Sequence, residues 1–281
     1  DIPGMRNATQ TVFMALTDGY QYSHSAGEYF GGGTFPLNAD IKITAYCYGD
    51  SSVSDVQYIK YDIINRGSNA WNNVYMSFTG DFDLGEANDD YLASDSARNM
   101  WIGYNADNMD GNGTYQTYGA NPPAVGMRII KFPVNKTVSP YDTLRAMTVS
   151  HQFCGGCIAP QCEFSPSGEP LGAYNFLKGF KKDGSNWMNP ILAPPRPTKF
   201  QFPGEPETNT GWTEFKGSLW NCGGDTGAYH PVNTPGDRRF LLGMGKENFT
   251  MNPGDSQSIV VAQFIARGTS NLNSVTKLKQ L

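Results

Sequence analysis

Between Val56 and Phe78 apolar and polar residues alternate with a period of two, a pattern that suits strands and no helix. Ile59, Tyr61 and Ile63 fall on one face of an extended segment and Lys60 and Asp62 on the other, because successive side chains of a strand point to opposite sides. After the turn Arg66-Gly67-Ser68-Asn69, Val74, Met76 and Phe78 share a face. Two such runs across a short turn predict an antiparallel hairpin, and their alternation predicts a sheet with one face in water.

The same reading extends along the chain. Thr11 to Leu16, Ile41 to Cys47, Val125 to Phe132, Arg239 to Leu242 and Ser258 to Ala266 read as further strands. Charged residues make up 17%, against about 25% in ordinary globular proteins, while 32 Gly, 18 Pro and 23 Asn supply turns throughout. The expected class is all-β: an antiparallel β-sandwich, Ig-like or jelly-roll-like, with long loops. One sandwich-like domain is expected over residues 1–281, with a cysteine-containing, Pro-rich loop excursion at about 150–235. Within it, the six prolines between Trp187 and Pro206, interrupted by Phe200 and Phe202, predict an extended covering loop, and Ala173 to Gly179 a short helical turn. Leu272, Val275, Leu278 and Leu281 lie three apart, which predicts a short C-terminal helix capped by Asn271 or Asn273.

Charge is concentrated in one place. Between Asp81 and Asn112 there are eight carboxylates and one basic residue, a net charge of −7 in a chain whose total is −5. Such crowding calls for solvation or a bridging cation, and the hard cation that takes six to eight oxygens is calcium. A loop starting at Asp81 is not an EF-hand, because Gly85 and Glu86 stand where an acid or amide and then Gly belong, and Leu92 where Glu belongs. The expected site is therefore irregular. Asp81 and Asp83 would donate side-chain oxygens, Gly85 would permit the tight turn, and Asn88, Asp89, Asp90 or Asp95 would close the shell; Asp107 and Asp110 form a weaker second candidate, since Asp, Asn and Gly also make plain turns. Catalytic carboxylates are the rival reading, and paired acids with stacking aromatics would make a carbohydrate-cleaving or carbohydrate-binding module. No Gly-x-Ser-x-Gly elbow or phosphate loop accompanies His24, His151 or His230, so no catalytic residue is assigned.

Of the five cysteines, Cys47 falls in phase with Ile41, Ile43 and Ala45 and reads as a buried free thiol. Cys154, Cys157, Cys162 and Cys222 suit two disulfides, with Cys222 closing a long loop. A zinc site of these thiols, with or without His151, is the alternative. A pI near 5.2 without a basic stripe argues against nucleic acid. No apolar run is long enough to span a bilayer. The absence of a signal peptide before Asp1 reads as a mature or excised fragment.

Several stretches together resemble a β-rich module, without established activity, of large secreted proteins from bacteria with type IX secretion. They are Gly31 to Leu37, Tyr61 to Arg66, Asp81 to Gly85 with Asn88-Asp89-Asp90 and Ser94-Asp95, Tyr104 to Asp107, Tyr118-Gly119, Pro122 to Gly126, Gly211-Trp212, Gly236 to Phe240 and Pro253-Gly254-Asp255. The resemblance covers nearly the whole chain, except that the cysteines at 154–162 are not part of it. It implies export, a sandwich-like body and an extracellular or cell-surface role. The expectation is a non-enzymatic structural module, calcium-stabilised and disulfide-linked, that self-associates or joins other surface proteins as a filament or adhesion subunit. Glycans are the alternative partner. Exposed strand edges, and the segment Asp1 to Gln10, would make the assembly contacts.

Overall fold

The structure, a computed structural model, describes residues 5–24, 33–49, 52–111, 116–144, 146–151 and 159–281, with the backbone alone for 146–151. Ten strands form its frame: β1 (Gln10–Thr17), β2 (Ala39–Cys47), β3 (Val56–Asn65), β4 (Tyr75–Phe82), β5 (Asp90–Asp95), β6 (Met100–Asn105), β7 (Ala124–Lys131), β8 (Ala146–His151), β9 (Arg238–Gly245) and β10 (Ser256–Ala266). A seven-stranded sheet runs β1-β2-β3-β10-β7-β6-β5, and a three-stranded sheet runs β8-β9-β4. Every pairing in both is antiparallel. The all-β class holds, with α1 (Pro170–Leu177) and the C-terminal α2 (Asn271–Leu278) as the α-helices among the described residues.

The expected hairpin does not form. β3 pairs with β2 and β10, whereas β4 pairs with β9 in the other sheet. The segment between them is held by other partners: the buried Asn65 amide donates to Asn69 O and Met251 O, both at 2.9 Å, and Trp71 bridges Met251. These contacts carry the chain out of one sheet and into the next.

Alternation places the core. Ile59, Tyr61 and Ile63 of β3, Leu92 of β5, Trp101 of β6, Ile129 of β7 and Ile259 and Val261 of β10 share a buried cluster with Met76, Phe78 and Phe82 of β4 and Phe240, Leu242 and Met244 of β9. Rings from the two sheets meet there, with Trp101 and Phe240 stacked at 3.7 Å and Tyr61 and Phe78 at 4.9 Å. The opposite face differs along the sheet. On β3 it carries Lys60 and Asp62, paired at 2.8 Å and partly exposed. Farther on, Tyr91, Met100, Ile102, Ala262 and Phe264 are covered by Val275 and Leu278 of α2. That helix is capped by Ser270, whose hydroxyl accepts from Asn273 N at 3.0 Å. Neither asparagine expected as the cap serves, because Asn271 is buried and donates to Asn105 O at 2.8 Å.

The excursion packs on this frame. Phe202 and Trp212 enter the shared cluster, and Phe176 of α1 meets Trp187 and Leu241 in a smaller one. Two short ladders, Trp187–Asn189 with Arg196–Thr198 and Ser218–Trp220 with Ala228–His230, give it internal order. Cys162 and Cys222 are joined as a disulfide, as expected for those two. Cys154 and Cys157 lie outside the described residues. Cys47 is free but only half-buried.

Candidate functional site

The acid-rich stretch divides between the two sheets. Asp81 belongs to β4 and faces Arg239 across the ladder; Asp90 begins β5; the loop proper is the turn between. Gly85 is needed at its bend. Its φ is +84°, and a Cβ there would lie 1.9 Å from the Asp110 carboxylate, so both backbone conformation and space demand glycine.

Asp110 is buried and organises the loop. It accepts from Glu86 N at 2.7 Å and from Tyr118 N. Asp107 makes a local turn by accepting from Met109 N at 2.7 Å. The second acidic turn thus closes onto the first through backbone amides. Asn88 donates to Glu86 at 3.0 Å, and Asp95 pairs with Arg98 at 2.7 Å at the far end of β5. Asp90 is fully buried, and its Oδ2 accepts from Leu84 N at 3.2 Å. Burial pushes its carboxyl up to about 8, opposed by the Leu84 amide and reinforced by Asp89, Asp110 and Asp83. Burial raises Asp89 as well.

The residues that converge are Asp81, Asp83 and Asp237, whose carboxylate oxygens lie within 4.8 Å of one another. Asp89, Asp90, Asp95, Asp107 and Asp110 do not belong to that group. Asp237 enters from the start of β9 and was not expected. Its one sequence signal is its position before Arg238-Arg239, the entry to a strand that pairs with β4. Arg239 reaches Asp81 at 2.6 Å and Asp237 at 3.9 Å. Burial raises the Asp237 carboxyl; Arg239 opposes this, while Asp81 and Asp83 add to it. Its Oδ1 is buried without a hydrogen-bond partner. Three ionised carboxylates against one guanidinium leave two negative charges, the charge of one divalent cation. Asp81 and Asp83 are exposed, and Asp83 opens onto a depression of about 470 Å³ lined by Gly85, Gln116, Thr117 and Tyr118. Carboxylate oxygens with room for water suit calcium, which accepts irregular oxygen shells, better than magnesium or zinc. The donor set and the orphaned oxygen fit that ion.

Below this rim lies a second polar group. Arg238 and Glu214, both fully buried, pair at 2.8 Å, and the other Glu214 oxygen accepts from Leu92 N at 2.5 Å. Burial pushes the Glu214 carboxyl up, opposed by Arg238 and the Leu92 amide. Through these contacts the pair ties the excursion to the edge of the large sheet.

A separate groove of about 500 Å³ is lined by Trp71, Tyr75, Tyr174, Asn69, Asn72 and Pro36, among others. No helix among the described residues is long and apolar enough to cross a membrane. The chain matches no family model, and none of the curated proteins is similar to it.

Proposed function

We propose that the chain is a non-enzymatic extracellular structural module whose two sheets stack as a β-sandwich, whose acidic rim is fastened by calcium, and which self-associates in a cell-surface filament or adhesive assembly. The observation that carries this reading is β1. It is an edge strand of eight residues without a proline or a charge, the kind of edge that soluble proteins normally blunt. Val12, Phe13, Met14 and Leu16 are all exposed, Phe13 by 60%, so both faces of the strand lack cover among the described residues. The partner that suits it is a second copy of the same chain. An uncharged strand meets no repulsion from its own copy, and antiparallel pairing of two β1 edges would satisfy both rows of backbone groups.

The Cys162–Cys222 disulfide supports export, since such bonds persist in oxidising compartments. The resemblance to modules exported by type IX secretion points the same way. Calcium is supported by the convergence of Asp81, Asp83 and Asp237. The experiment is sedimentation and thermal melting with calcium and with chelator. Expected are large species and a raised melting temperature with calcium, by an amount worth about 2.7 kcal/mol at a hundredfold excess over Kd. A monomer at every concentration would remove the assembly reading, and a melting temperature indifferent to chelator would remove the metal.

The groove beside Trp71 favours a second reading, carbohydrate binding, because aromatic faces and side-chain amides suit sugar rings and hydroxyls. Saturable glycan binding by a monomer, lost in Trp71→Ala, would support it over assembly.

A further inference from the structure

The excursion holds three polar side chains that the acidic rim does not use and that solvent does not reach. Lys181, Glu163 and Asn221 are 1%, 2% and 1% exposed. Lys181 Nζ lies 2.6 Å from Glu163 Oε1 and 2.6 Å from Asn221 Oδ1, with Leu219 O at 3.2 Å. The Trp187 ring closes the pocket, its centroid 5.1 Å from Nζ. The amide is held in one orientation, because Asn221 Nδ2 donates to Asn186 O at 2.9 Å and Gly224 O at 2.5 Å. A carbonyl bond is about 1.2 Å long, so the amide carbon Cγ lies no more than about 3.8 Å from Nζ. That is close to the separation of a near-attack arrangement, about 3–3.5 Å.

We propose that Lys181 and Asn221 become joined by an intramolecular isopeptide bond, with Glu163 as the catalytic proton carrier. Glu163 takes one proton from the Lys181 ammonium, leaving a neutral amine and a neutral acid. The amine lone pair attacks Cγ of Asn221, and the Nζ–Cγ bond forms. The Cγ–Nδ2 bond then breaks, and Nδ2 leaves as ammonia. Nζ gives up one proton and Nδ2 gains one, with Glu163 relaying it, so Glu163 ends protonated. Atoms and charge balance: ammonium, carboxylate and primary amide become secondary amide, carboxylic acid and ammonia, and no oxidant or further reactant is needed.

The surroundings of the site favour this over a permanent ion pair. Burying two charges costs several kcal/mol per ion even when they are paired, and the reaction leaves none. Burial raises the Glu163 carboxyl, against the pull of Lys181, so the acid is suited to keeping the proton. The disulfide joins Cys162 to Cys222, the residues next to Glu163 and Asn221, and therefore holds acid and amide together. A water-poor pocket also spares the intermediate from hydrolysis. Cys222 and Gly223 are exposed, which gives ammonia a short way out.

The test is the intact mass of the full chain after complete reduction and alkylation, followed by tandem mass spectrometry of a digest. Expected is a mass below that of the sequence by one ammonia, with one branched peptide joining Lys181 to Asn221. Glu163→Gln should restore the full mass and the two linear peptides while melting cooperatively. A wild-type chain of full mass overturns the proposal. So does a missing ammonia with linear peptides at both positions, which would place the loss at another residue. A branched peptide that persists in Glu163→Gln overturns the role of Glu163. Where Glu163→Gln does not fold, Lys181→Arg, which keeps a cation in the pocket, provides the linear control.

Discussion

The seven-stranded sheet ends in two very different edges. At β5 the outer backbone groups are taken by the excursion: Ser94 N donates to Phe202 O at 3.1 Å, Leu92 N donates to the Glu214 carboxylate at 2.5 Å, and Gly236 N donates to Asp90 O at 3.2 Å. Side chains follow the same route, Ser94 to Gln201 O at 2.5 Å and Tyr91 to Asn233 O at 2.7 Å. At β1 no such covering segment is present among the described residues, and both faces of the strand are exposed. One edge is closed by the segment from Gln201 to Gly236, and the other has no such cover among the described residues. A sheet that tolerated open edges would not need the first arrangement, so the bare state of β1 reads as a surface kept for use.

The covered edge should be the more costly to disturb. Glu214→Leu strands Arg238 in the interior and leaves the Leu92 amide without its acceptor, and is expected to cost about 3–5 kcal/mol in chemical denaturation. Glu214→Leu combined with Arg238→Met should recover much of that loss, since replacing both charges leaves neither unpaired. Equal instability of the single and double variants would mean that the Leu92 amide, and not the charge pair, holds the edge. Cys162→Ser with Cys222→Ser comes next, at about 2–4 kcal/mol. The Lys181–Asn221 bond would close a shorter loop inside that of the disulfide, so it should lower this loss without abolishing it.

Asp90 contributes a pH-dependent effect at the same edge. Its folded-state value is raised to about 8 from an ordinary 3.8. Between these values the unfolded chain has released the proton and the folded chain has kept it, so this group lowers stability progressively as pH rises, and the loss is complete above about 8. Asp90→Asn keeps an oxygen for Leu84 N and cannot ionise. It is expected to be more stable than the wild type at pH 8, with the difference shrinking towards zero as pH falls below 4. Melting curves across that range check it, and a gain independent of pH would mean that the carboxyl is not the source.

Much of this was legible from one dimension, and the failures share a cause. Period-two alternation located the frame strands at Val56, Ser258 and Arg239, because burial on one face is written in adjacent residues. The partner of each strand was not, so β3 and β4 looked like a hairpin although Asn65 and Trp71 direct the chain elsewhere. The acidic stretch was plain as a charge excess, yet its carboxylates had different tasks. Asp110 and Asp107 hold backbone amides, Asp95 pairs with Arg98, and Asp90 is buried. Asp237 and the Lys181, Glu163 and Asn221 group are brought together only by the tertiary fold, and local sequence carries no trace of that.

The open edge gives the smallest change in stability and the sharpest change in behaviour. Phe13 and Met14 already face solvent on opposite sides of β1, so Phe13→Lys and Met14→Lys remove little buried contact and should shift stability by no more than about 0.5 kcal/mol. A strand carrying lysine on either face is poorly suited to pairing with a copy that carries the same charge directly opposite, since like charges across a ladder are unfavourable. Both variants should therefore remain folded and sediment as monomers under conditions in which the wild type associates. If they associate as the wild type does, β1 is not the contact. If they unfold, β1 is covered from within the chain, and the contrast between the two edges disappears.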